Sequence, residues 1–193
     1  MGLVSPEEKT PYCGGSIITS QHVLTAAHCT YDRFTEDVKD PSSIQVLVGE
    51  HNTEDTDVDR RDVSKIRSHP RYKHDNADYD FSILFLSSPL TFSSTIAAIC
   101  LPASTQSLYT GQVATVTGWG LTSSDGTPAS TLQEAEVEVI SNEACSDHYP
   151  GKIERYLNLQ LTLLLYFRVW FMTLHHSALL AAPVVCPIKT VTS

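Results

Sequence analysis

Residues 13–29 read Cys13-Gly14-Gly15-Ser16-Ile17-Ile18-Thr19-Ser20-Gln21-His22-Val23-Leu24-Thr25-Ala26-Ala27-His28-Cys29. Two cysteines 16 residues apart can staple a loop. Closing a loop of that length in the unfolded chain is worth roughly 3 kcal/mol in the chain-entropy picture. A histidine directly beside a stapled cysteine has little freedom to move, which suits a general base. Taken alone, such a histidine is more often structural than reactive.

Outward from this stretch, residues 13–150 read as short strands separated by turns. Residues 43–49 alternate with period two, and residues 113–117 are mostly β-branched and end at Gly118. Residues 133–140 set Ala135, Val137 and Val139 against Glu134, Glu136 and Glu138. Residues 81–86 form a short apolar run, expected as a strand buried on both faces. Turn clusters lie at Asp40-Pro41-Ser42-Ser43, at residues 123–128 and at Tyr149-Pro150-Gly151. Strands at this spacing predict an all-β barrel or sandwich. The composition agrees. With 193 residues, 41% hydrophobic and 18% charged, the chain has material for one packed domain, alone or with an extension. Ten Pro and nine Gly count against a helical bundle. A net charge of -9 argues against a nucleic-acid binder, which needs clustered Lys and Arg.

Two further patterns carry chemistry. In Asp78-Tyr79-Asp80-Phe81-Ser82-Ile83-Leu84 a carboxylate runs directly into an apolar strand. Such an aspartate needs a partner, and an imidazole N–H is a good one. In Thr117-Gly118-Trp119-Gly120 two glycines flank a bulky aromatic, the mark of a constrained turn into a new sheet.

Together these residues resemble the trypsin-like, chymotrypsin-fold serine proteases. Thr25-Ala26-Ala27-His28-Cys29 is similar to the family's histidine motif and Asp80-Phe81-Ser82-Ile83-Leu84 to its aspartate motif. Cys100-Leu101-Pro102 resembles the link between the two barrels, and Gly118-Trp119-Gly120 the opening of the second. Val48-Gly49-Glu50-His51 and His69-Pro70-Arg71-Tyr72 fall in the same order. The resemblance covers about residues 12–151. It implies a chymotrypsin-like double β-barrel over residues 13–151, with a first barrel to about residue 117 and the start of a truncated second barrel over 118–151. It implies a catalytic His28 as general base, Asp80 as the residue that orients it, and a Cys13–Cys29 disulfide that fixes the loop presenting His28. The activity implied is serine-type endopeptidase on protein or peptide substrates, in an extracellular setting. His22, His51, His69, His74 and His148 are expected to be surface or packing residues.

The departures from the family pattern are equally definite. The nucleophilic serine lies in Gly-Asp-Ser-Gly-Gly in the family, and no such string occurs here; no Gly follows Gly151. The serine nucleophile, the oxyanion hole and the specificity pocket are therefore absent, and the expectation is a chain inactive as given. The alternative is a non-catalytic homologue that binds a partner protein. Neither half of the family's activation switch is present, because only 12 residues precede Cys13 and none resembles a freed Ile-Val-Gly-Gly end. Of the five cysteines, Cys100, Cys145 and Cys186 are left without assigned partners.

The two ends read as outside the family. Residues 1–12 form a short leader with none of the marks of a signal peptide. Residues 152–193 form an apolar tail whose single acidic residue is Glu154. Residues 157–174 approach the length of a membrane span, but Arg168, Asn158 and Gln160 oppose that reading. An aberrant end is favoured over a membrane anchor or a packed segment. Between Glu50 and Asp62 the acidic residues Glu50, Glu54, Asp55, Asp57, Asp59 and Asp62 cluster. Some relatives hold calcium in such a loop, which makes Glu50 and Asn52 the candidate ligands. Arg60 and Arg61 within the run favour a solvated acidic loop instead.

Overall fold

A computed structural model of the chain describes residues 1–55, 57–75, 79–101, 109–122, 126–141, 144 and 180–181. Within them the regular structure is β, with two short 3₁₀ turns at Ala27–Thr30 and Pro41–Ser43. The strands are β1 (Gly2–Val4), β2 (Cys13–Gly14), β3 (Ser16–Thr19), β4 (His22–Thr25), β5 (Tyr31–Asp32), β6 (Asp37–Val38), β7 (Gln45–Val48), β8 (Asp59–Ser68), β9 (Ser82–Leu86), β10 (Val113–Gly118), β11 (Gln133–Glu138) and β12 (Leu180–Ala181).

Seven strands form one antiparallel sheet in the order β2-β1-β7-β8-β9-β4-β3. Its two edge strands are neighbours in the chain, separated only by Gly15. A sheet whose edges are joined by one residue has to curl, and this one forms a nearly closed barrel. Thr25 on β4 donates a hydrogen bond across the gap to the Gly14 carbonyl at 2.7 Å. A Cβ at Gly15 would come within 2.8 Å of the Leu24 carbonyl oxygen, so glycine is required at the closure. Curvature also comes from β8, which pairs with β7 through residues 59–62 and with β9 through residues 63–68. The register shifts between Val63 and Lys65, where the strand turns the corner of the barrel.

The barrel interior is filled by Leu3, Ile17, Val23, Ile44, Val46, Val48, Val63, Leu84, Leu86 and Leu90, together with Cys13 and Cys29. Burying each such side chain contributes about 1.5–3 kcal/mol. The period-two reading of residues 43–49 holds for Ile44, Val46 and Val48. Leu47 on the opposite face is buried as well. It pairs across the sheet with Gly2, and Trp119 Cζ3 lies 3.6 Å from where a Gly2 Cβ would stand. The indole therefore covers this face. Strand β9 corrects the expectation for residues 81–86. Ser82, Leu84 and Leu86 are buried, while Ile83 and Phe85 are half-buried on the outer face. The His22 ring meets Phe85 edge-on at 4.8 Å, and Lys65 Nζ lies 5.7 Å from the Phe85 ring centre.

Residues 1–12, expected to lie outside the domain, are part of it. β1 sits between β2 and β7, with Leu3 and Val4 fully buried. Arg60 on β8 ties the following segment down, donating to the Pro6 carbonyl at 3.1 Å and the Glu8 carbonyl at 2.7 Å. Three residues are too few to show a strand period in sequence, and Pro6 masks what precedes it.

A second, three-stranded sheet has the order β11-β10-β12. It begins at Val113, so the boundary expected near residue 117 falls within β10. The acidic loop after β7 joins the two sheets. The Trp119 indole N–H donates to the His51 carbonyl at 3.0 Å, Leu132 N–H to the same carbonyl at 2.8 Å, and Thr53 N–H to Ser130 O at 2.9 Å. Of the tail, only β12 lies within the described residues; the rest of residues 152–193, with Cys145, His148 and Cys186, lies outside them.

Candidate active site

Strands β4 and β9 pair with Thr25 opposite Ser82. The end of β4 and the start of β9 therefore meet at one rim of the barrel. His28 stands in the 3₁₀ turn just after β4, and Asp80 two residues before Ser82. Pairing register alone brings together two residues 52 positions apart in sequence. Asp80 Oδ2 lies 2.8 Å from His28 Nδ1, and Asp80 Oδ1 accepts the His28 backbone N–H at 2.8 Å. One carboxylate thus grips both the ring and the main chain of the same residue.

The Asp80 side chain is 1% exposed and that of His28 34%. An ionised carboxylate only accepts hydrogen bonds, so in a neutral ring this contact places the proton on Nδ1 and the lone pair on Nε2. Cys29 Sγ is 3.5 Å from Nε2, but this sulfur belongs to a disulfide and carries no proton. Among the described residues no hydroxyl hydrogen-bonds to Nε2. The ring is held in one orientation by a single carboxylate that also accepts its main-chain N–H.

The Cys13–Cys29 disulfide is formed as the resemblance implied. It clamps β2 to the turn carrying His28. Lys39 reinforces the same turn, donating from Nζ to the Cys29 carbonyl at 3.1 Å while its ammonium lies 4.5 Å from the centre of the Tyr12 ring. Burial lowers the Lys39 pKa, against a raising influence from Asp32. Cys100, left open by the sequence, is disulfide-bonded.

Next to Asp80 the backbone is strained. Tyr79 has φ +55°, in the left-handed region that a bulky residue rarely adopts. An aromatic stack braces it: the His69 ring lies 4.6 Å from Tyr79 at 12°, and the Arg71 guanidinium sits 4.2 Å from the other ring centre. His69 also meets Phe81 at 4.6 Å. Burial, and secondarily Arg71, lowers the His69 pKa. His74 stacks on Tyr31 at 4.7 Å, and His22 bonds Thr19 Oγ1 at 2.7 Å. These rings pack as expected, apart from the His28–Asp80 pair.

The calcium candidates are engaged locally. Glu50 Oε1 accepts the N–H groups of His51 at 2.9 Å and Asn52 at 3.0 Å, and Asn52 Oδ1 accepts that of Glu54 at 3.1 Å. Arg61 binds Asp59 at 2.7 Å. The loop that reads as merely solvated and acidic is the seam between the sheets. Among the described residues, one group of three ligand-type side chains converges within 4.8 Å, namely Cys13, His28 and Cys29. Its sulfurs are spent on the disulfide, which leaves no thiolate for a metal.

Sequence reasoning missed the hydroxyls of Thr30, Ser68 and Ser82, which adjoin the pair. The available signal was a serine at an inward position of β9, two residues after Asp80.

A family model described as Trypsin matches residues 1–161. The chain belongs to the trypsin family. Cationic trypsin-3 of Rattus norvegicus is 39% identical over 145 residues, covering 74% of this chain and 54% of its own length. Trypsin of Sus scrofa is 36% identical over 153 residues, covering 78% of this chain and 61% of its own length. Serine proteinase stubble of Drosophila melanogaster is 38% identical over 144 residues, covering 72% of this chain and 17% of its own length. The chain therefore spans little more than half of these two trypsins. The family match includes residues 1–12, in keeping with the place of β1 in the barrel.

Proposed function

We propose that the His28–Asp80 pair serves serine-type endopeptidase chemistry on protein or peptide substrates. The observation that carries this reading is the double grip of Asp80 on His28. Enzymes of this fold are the type case of the Ser-His-Asp triad, so the roles come from the family and not from the distances alone. His28 Nε2 would accept the proton of a serine hydroxyl as that oxygen attacks the scissile carbonyl. It would then return the proton to the leaving amine. Asp80 would keep the ring in the Nδ1–H tautomer and stabilise the imidazolium.

The finer part of the proposal concerns the 193 residues themselves. They contain no Gly-Asp-Ser-Gly-Gly segment. In this reading they supply the proton-handling half of a triad, and not the attacking hydroxyl or the amide cradle for the oxyanion. By themselves they do not hydrolyse peptides. Treatment of the purified chain with a fluorophosphonate probe, read by intact mass, is expected to leave it unlabelled. Stoichiometric labelling, or peptide hydrolysis by the purified chain, would overturn this part, and labelling that His28→Ala leaves unchanged would overturn the role of the pair as well.

A second reading is a non-catalytic member of the family that binds a partner protein, favoured by a nearly closed barrel with an apolar interior. The Cys13–Cys29 bridge fits an oxidising, extracellular compartment. Among the described residues no helix is long and apolar enough to cross a membrane.

A further inference from the structure

We infer that the hydroxyls of Thr30, Ser68 and Ser82 act as a positioning cluster for the His28–Asp80 pair. This rests on the reading of that pair as the proton-handling centre. The buried polar side chains among the described residues are Thr25, Thr30, Asp80 and Ser82, and all four stand at one rim of the barrel. Elsewhere the interior is apolar. Leading into and along β9, the buried positions are Asp80 and Ser82, then Leu84 and Leu86. The change from polar to apolar coincides with the site.

The cluster joins the three pieces of chain that meet there. Thr30 closes the 3₁₀ turn that carries His28, and its hydroxyl lies 3.0 Å from the Ala27 carbonyl oxygen. The same Oγ1 is 3.2 Å from Ser82 Oγ on β9 and 3.1 Å from Ser68 Oγ at the end of β8. Ser68 and Ser82 Oγ are 3.1 Å apart, which closes the triangle. Ser68 and Ser82 are also register partners in the β8–β9 ladder. A displacement of the His28 turn relative to Asp80 therefore stretches hydrogen bonds that no solvent replaces, since Thr30 and Ser82 are fully buried. Valine and alanine would fill these positions without a desolvation cost. The hydroxyls hold direction, where apolar packing would hold only volume. They act through the pair and touch no substrate.

The test is proton NMR on the purified full chain, following the His28 Nδ1–H resonance, which its bond to a carboxylate moves to low field and protects from exchange. Asp80→Asn removes it and assigns it. Thr30→Val leaves Ser68 and Ser82 bonded to each other, so it orphans no hydroxyl. It is expected to speed solvent exchange of the Nδ1 proton at least tenfold while the melting temperature stays near that of the parent. Thr30→Ser restores slow exchange. If Thr30→Val does not fold, Ser68→Ala provides the same comparison at a half-buried position. Unchanged exchange in the folded variant, or equal acceleration in Thr30→Val and Thr30→Ser, overturns the role of the cluster while leaving the pair intact. Absence of the low-field resonance from the unaltered chain overturns the pairing itself, and the cluster's role with it.

Discussion

The two sheets of this protein are both antiparallel, yet they are stabilised differently. In the seven-stranded barrel Leu3, Val23, Val46 and Leu84 are fully buried. In the three-stranded sheet Val113 is 65% exposed, and along β11 only Val137 is even half-buried. Among the described residues β11 is an edge and bears Glu134, Glu136 and Glu138, charges that discourage pairing with another chain. Closure makes the difference. A sheet that curls until its edges nearly meet encloses one shared interior, whereas an open sheet depends on whatever packs across its faces. Among the described residues the seam between them includes the bonds from Trp119 and Leu132 to the His51 carbonyl and from Thr53 to Ser130.

The contrast can be broken by mutation. Leu84→Ala is expected to cost about 3 kcal/mol, measured by urea denaturation, because a fully buried leucine leaves a cavity. Equal cost for Val116→Ala in β10 would show the second sheet to be as tightly packed and would end the distinction. Replacing Cys13 and Cys29 together by alanine is expected to cost roughly 3 kcal/mol in the same experiment. A change below about 1 kcal/mol would mean that the barrel holds the His28 turn without its staple. At the seam, Trp119→Phe keeps most of the ring and removes one donor to the His51 carbonyl. The expected loss is about 1 kcal/mol, with the two sheets unfolding less cooperatively when followed by separate probes.

A smaller effect concerns pH. His69 binds its proton less readily in the fold than in the unfolded chain, because of burial first and Arg71 second. A lowered folded pKa means that the unfolded state takes up protons first as pH falls. The associated stability is present above about pH 6.5 and is lost as pH drops below it. His69→Phe preserves the stack with Tyr79 and removes this titration. Between about pH 7 and about pH 5 the variant should lose less of its denaturation midpoint than the parent. An equal loss would place the acid sensitivity elsewhere. The smallest expected effect is Val113→Thr, within about 0.5 kcal/mol, since that side chain faces solvent.

The two site residues were legible only through the resemblance, since Thr25-Ala26-Ala27-His28-Cys29 and Asp80-Phe81-Ser82-Ile83-Leu84 stand in the family's order while His28 and Asp80 taken singly read as structural. The strand at residues 2–4 was not legible, since three residues carry no period and their burial depends on partners more than 40 positions away. The acidic loop misled for a related reason. Its side chains are charged, but its backbone makes the contacts with Ser130 and Leu132, and backbone donors leave no mark in composition.

What the amino-acid order determined by itself is the kind of protein: an all-β chain of short strands with a histidine, an aspartate and a cysteine staple at recognisable spacings. What only the tertiary structure decided is which groups meet. The β4–β9 register puts a carboxylate 2.8 Å from an imidazole across 52 residues, and the β8–β9 register sets Ser68 opposite Ser82, with both hydroxyls within bonding distance of Thr30. Periodicity specifies which face of a strand turns inward. Only pairing specifies which inward faces share a rim, because register is a long-range property that no single segment contains.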